Sequence, residues 1–116
     1  MSSNEAEDYC TSRGYRLVEI YDPTQQNFIE DLCTKDPPID EYSGYWIGLK
    51  LIEGTGTWKW EDSGKMLASA GDFTAWGGDN PHMGKHDDPF AQARASQKYK
   101  WVDLHPGKGG AICQKI

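Results

Sequence analysis

Cysteine stands near each end of the chain, at positions 10 and 113 of 116 residues, and once between, at Cys33. Joining Cys10 to Cys113 forces the two ends of the polypeptide to meet, so the fold must leave from and return to one place. On the chain-entropy account, closing a loop of about 100 residues is worth about 4 to 5 kcal/mol. Such a clamp needs an oxidising compartment, and it leaves Cys33 odd. No CxxC spacing is present, which argues against a thiolate zinc site or a redox dithiol.

The length fits one domain over residues 1–116 with one core. Hydrophobic residues make up 37% and aromatics 12%, with five Trp and six Tyr, so neither a disordered nor a fibrous chain is expected. Thirteen Gly and six Pro call for many turns and speak against a helix bundle. The net charge is -6 and no block of Lys or Arg occurs, which excludes a nucleic-acid backbone as the expected partner. No apolar run approaches the roughly 18 to 20 residues of a membrane span. The opening MSSNEAEDYC lacks the basic leader and apolar stretch of a signal peptide. It reads as a cytosolic start or as the mature end of a secreted protein, and the terminal clamp favours the secreted, extracellular reading.

A helix is expected over 4–14, capped by Asn4 and ended by Gly14, with Ala6, Tyr9, Cys10 and Arg13 on one face. A short strand follows at 15–20. A second helix over 22–33 has Asp22 or Thr24 as cap and Phe28, Ile29, Leu32 and Cys33 as its apolar stripe, stopped by Pro37 and Pro38. Cys33 has two readings there, a small buried hydrophobe or an interchain disulfide. From Tyr45 the pattern turns to strands. YWIGLKL (45–51) is a central strand, and TWKWED (57–62) alternates so that Trp58 and Trp60 share a face. A long irregular stretch runs over 68–90, the kind of segment that carries function. QKYKWVDL (97–104) is a strand with Tyr99, Trp101 and Asp103 on one side, and AICQKI (111–116) is the last strand. The sum is an α+β chain, two short helices flanking small antiparallel sheets with a long irregular loop region.

YWIGL (45–49), WKWEDSG (58–64), the early spacing Ala6, Cys10, Gly14, Leu17, and WVD (101–103) followed by Ile112-Cys113 together resemble the C-type lectin-like domain. The resemblance spans about residues 4–115. It implies that Cys10 and Cys113 form the family's terminal disulfide. It also marks departures. Phe90 and Pro106 stand where the family has an inner disulfide across the long loop, and Cys33 matches neither family pair. The strand that precedes the first helix in the family is absent, which leaves a terminal strand short of a partner. An open edge of that kind invites association, so a homodimer is expected, with Cys33 as a candidate covalent link.

In sugar-binding members, calcium is held by a Glu-Pro-Asn motif, a later Glu and an Asn-Asp pair, and its spare positions take sugar hydroxyls. The corresponding residues here are Asn80-Pro81-His82, Asp88 and Val102-Asp103, with Pro81 expected to be cis. Asn80 is neutral, Val102 has no side-chain oxygen and His82 offers nitrogen, whereas calcium takes six to eight oxygens. Zinc accepts four ligands from imidazole and carboxylate, so His82, Asp88, Asp103 and His86 are the expected metal set, with zinc favoured over calcium. A solvated loop binding no ion is the plainer alternative. The ligand-binding candidates are Asn80, His82, Asp88, Asp103 and Trp76, the last offering a flat apolar face to a sugar ring or anchoring the loop base. No nucleophile elbow, HExxH or Gly-rich phosphate loop occurs, so no catalytic residue is expected. The resemblance implies a glycan- or glycoprotein-binding lectin domain. The alternative is a lectin-like protein-binding module that has lost metal-dependent sugar binding.

Overall fold

The computed structural model describes residues 1–37, 43–52, 57–67, 73–78, 90–103 and 109–115. Helix α1 covers Ser3–Thr11, and its cap is Ser2 rather than Asn4. Ser2 Oγ accepts from the Glu5 amide (3.2 Å) and Glu5 Oε1 accepts from the Ser2 amide (3.0 Å). This reciprocal capping box satisfies two otherwise orphaned donors. Asn4 lies two residues further on, already inside the first turn. Gly14 then takes φ +79° and turns the chain. The inward face is Ser3, Ala6 and Cys10. Tyr9 is exposed, and the Arg13 guanidinium lies 3.7 Å over its ring, so these two do not join that face.

Strand β1 is Tyr15–Leu17, and helix α2 is Pro23–Lys35. Asp22 accepts from the Gln25 amide (2.8 Å) and Pro23 opens the first turn, both favoured at a helix start. The buried stripe of α2 is Gln26, Ile29 and Cys33. Phe28 is 66% and Leu32 43% exposed, so half of the expected apolar stripe faces outward. Gln26 takes the inner position because all its polar atoms are satisfied. Its Oε1 accepts from Trp101 Nε1 (2.9 Å), while its Nε2 donates to the Tyr99 carbonyl and to Glu30 (3.0 Å each).

The main sheet is built on β2, Gly44–Ile52. It pairs antiparallel with β3 (Thr57–Trp60) and with β4 (Phe90–Arg94), and β4 continues to β5 (Trp101–Val102). Strand β6 (Gly109–Ala111) pairs with β2 in parallel. The β2–β3 register sets Leu49 opposite Trp60 and Leu51 opposite Trp58, and both Trp are buried, as the alternation predicts. The expected strand over 97–104 is shorter. A 3-10 turn occupies Ala95–Gln97, and Lys98 and Tyr99 both take positive φ (54° and 63°). These left-handed residues interrupt an extended run, and only Trp101–Val102 pairs.

The last strand, β7 (Cys113–Lys115), pairs antiparallel with β1, Leu17 opposite Cys113. The Cys10–Cys113 disulfide ties α1 to β7 with the Cα atoms 5.4 Å apart. Around it pack Ala6, Leu17, Trp46 and Phe90. Phe90 thus fills the core near the terminal clamp. Cys33 is 2% exposed. Burial, and then the carboxylates of Asp36 and Glu30, push its thiol up to about 12. A buried, protonated thiol is shielded from a second chain, which favours the reading of Cys33 as a small buried hydrophobe over a covalent dimer link.

Candidate functional site

The base of the long loop is a ladder of aromatic rings. Trp101, buried on β5, meets Trp60 edge to face at 5.4 Å, Trp76 at 5.6 Å and Phe73 at 6.0 Å between centroids. Trp76 also packs against Trp58 at 5.0 Å. Such pairs contribute about 0.5 to 1.5 kcal/mol each beyond their buried area. The backbone completes the junction. The Trp101 amide donates to the Ala75 carbonyl (2.8 Å), and the Gly77 amide donates to the Trp101 carbonyl (2.9 Å). Gly77 must be glycine here, because a Cβ would fall 2.9 Å from Gln97 Cβ and 3.0 Å from Lys100 Cβ. Trp76 is therefore an anchor of the loop base, with part of its surface still open.

Beyond Trp101, Val102 and Asp103 are both buried, Asp103 at 2% exposure. Of the residues expected to bind ligand or metal, the structure describes Trp76, packed on Trp101, and Asp103, two residues beyond Trp101 on the same segment. Asn80, Pro81, His82, His86, Asp87 and Asp88 lie outside the described residues. Among the described residues no group of three or more His, Cys, Asp or Glu is arranged to hold a metal ion. The chemistry of the described donors is equally plain. Val102 contributes hydrocarbon where a calcium cage needs oxygen, and Asp103 contributes one enclosed carboxylate.

Two further features escaped the sequence pattern. A cleft of about 380 Å³ opens beside the loop base, lined by Asn27, Phe73, Thr74, Trp76 and Lys100. Lys100 is held there by Glu30 (2.5 Å). On another side, a cleft of about 210 Å³ gathers Glu7, Arg16, Glu61 and Asp62. Burial, followed by the charge of Glu61, raises the Glu7 carboxyl above its ordinary range. Both clefts join elements far apart in sequence, which local periodicity cannot foretell.

Residues 1–115 match the family model for the Lectin C-type domain. The chain is similar to a perlucin-like protein of Mytilus galloprovincialis, 25% identical over 95% of this chain and 67% of that protein. It is 29% identical to E-selectin of Bos taurus over 99% of this chain, and spans 23% of E-selectin. Among solved structures, the cow C-type carbohydrate-recognition domain of CD23, determined in the presence of a GlcNAc2Man3 oligosaccharide, superposes with a TM-score of 0.69 at 22% identity. That match covers 97% of this chain and 76% of the CD23 domain. No described helix is long and apolar enough to cross a membrane.

Proposed function

Because the chain belongs to the C-type lectin domain family, we propose that it is a secreted glycan-binding domain over 1–116. Its binding face is formed by the loop 76–90 and the segment 101–103. Asn80, His82 and Asp88 are the polar groups offered to the ligand, and Asp103 and Trp76 hold the face from below. The observation that carries this reading is the loop base itself, where Trp76 is locked to Trp101 by ring packing and backbone bonds two residues before a buried carboxylate. A rigid base is what a binding loop requires. The CD23 domain, studied with an oligosaccharide, has the same fold, which is consistent with glycan as the ligand class. The domain acts as a non-covalent homodimer.

Glycan-array binding followed by titration tests the face. Asn80→Ala should weaken binding about tenfold, the worth of one polar contact, with unchanged circular dichroism. Full affinity in N80A would move the site elsewhere. Buried Val102 favours one second reading, a protein-binding module without metal-dependent sugar recognition. Binding to an unglycosylated protein, indifferent to chelator, would select it.

The ion this loop accepts is zinc in preference to calcium, held by His82, Asp88 and Asp103 with His86. Titration calorimetry on metal-stripped protein should give heat with zinc at neutral pH and little with calcium. A free histidine titrates near pH 6.5, so at pH 5 each imidazole ligand should lower zinc affinity about 30-fold, protons competing for the lone pair. Micromolar calcium binding that persists at pH 5 would refute the zinc assignment.

A further inference from the structure

Helix α2 holds Phe28 and Leu32, one turn apart and largely in water, over an apolar groove of about 390 Å³. The opposite wall is Val18 with Ile112 through Gln114. The groove runs along β7, whose one strand partner among the described residues is β1. The direction of the β7 backbone groups follows from its register. Arg16 pairs with Gln114, Leu17 with Cys113, and the Val18 amide donates to the Ile112 carbonyl (2.9 Å). Antiparallel ladders alternate bonded and non-bonded pairs. Gln114 is thus a bonded position, and the N–H and C=O of Cys113 and Lys115 point away from β1. An outward-facing backbone edge beside an apolar groove receives an extended strand.

We propose that a second copy of this chain supplies that strand, β7 pairing antiparallel with β7 about a two-fold axis at Gln114 while Phe28 and Leu32 of both copies cover the groove. The proposal rests on the homodimer named above and assigns its surface. The edge is self-complementary, as a two-fold interface must be. Cys113 and Lys115 each present one donor and one acceptor, so Cys113 faces the partner's Lys115 and Lys115 faces the partner's Cys113. Charge agrees. Lys115 is exposed, and the residue it would face is tied by its disulfide to α1, a helix with Glu5, Glu7 and Asp8 and no Lys or Arg. A small apolar ligand would fill the groove yet leave the β7 edge unpaired.

Two variants test this, with wild-type protein studied by sedimentation at micromolar concentration. At the two-fold, Gln114 lies opposite its own copy in a non-bonded pair with Cα atoms about 4.5 Å apart, a separation a disulfide spans. Oxidised Gln114→Cys should therefore run as a covalent dimer, mapped by mass spectrometry to position 114 in both chains. Leu32→Glu, at an exposed helical position, should weaken association about a hundredfold by placing a carboxylate against the apolar face. Circular dichroism and an intact Cys10–Cys113 link identify folded variants. A wild-type dimer that L32E leaves intact and Q114C fails to cross-link would overturn this surface while the homodimer stands. Wild-type monomer throughout would overturn both.

Discussion

Replacing Cys10 and Cys113 together by alanine should lower stability by about 4 to 5 kcal/mol, the loop-closure entropy returned to the unfolded chain. The sequence separation of the bridge is 103 residues, so nearly the whole chain gains that freedom. For a chain of this size the loss corresponds to a fall of about 15 to 20 °C in midpoint temperature. Packing adds to the effect, since Cys10 is fully buried against Trp46 and Phe90. Urea denaturation of the double variant beside the wild type measures it. A difference under about 1 kcal/mol would show that β1–β7 pairing closes the fold without the bridge.

Glu19→Ala should cost about 3 to 5 kcal/mol, the range for removing one partner of a buried charged network. Glu19 is 0% exposed. Its Oε2 accepts from the amides of Asp62 (2.9 Å) and Ser63 (3.1 Å), and its other oxygen receives the Tyr21 hydroxyl. Arg16 approaches at 3.8 Å and reaches on to Asp62 at 3.1 Å. One carboxylate thereby pins the turn after β3 to the end of β1. Its loss strands two part-buried amide donors. Hydrogen exchange at Asp62 and Ser63 should accelerate in the variant. Glu19→Gln keeps the volume and should retain part of the loss. Unchanged exchange at both amides in E19A would mean the turn is held by other contacts.

The parts of the fold legible in sequence are those written in local pattern. Alternation in TWKW placed Trp58 and Trp60 inward, and Asp22-Pro23 marked the start of α2. The Cys10–Cys113 bridge followed from position and from the resemblance. What stayed hidden depended on partners distant in the chain. Gln26 is polar, yet it is buried because Trp101 and Tyr99 meet it. The sequence FAQAR of β4 lacks branched residues, so nothing local announces a strand. It extends because β2 and β5 flank it. Lys98 and Tyr99 interrupt an extended run with left-handed backbone that neither residue type favours. At the site, Trp76 could be read as ligand platform or loop anchor. Its two indole neighbours, Trp58 and Trp101, favour the anchor, and they lie on strands distant from it in sequence.

The pairing of Tyr15–Leu17 with Cys113–Lys115 also governs how quickly the native state is reached. Neither strand has a local partner among the described residues, so this two-stranded sheet forms only once Cys113–Lys115 is available. The parallel contact of Gly44–Trp46 with Gly109–Ala111 imposes the same delay. Non-local pairings of this kind place a chain among slow folders, in the range of milliseconds to seconds. During synthesis α1 and β1 leave the ribosome well before β7, and Cys10 must wait as a free thiol for a partner 103 residues further along. Folding of the domain is thus tied to the arrival of β7, and a nascent copy that has not yet made that strand leaves β1 without its partner.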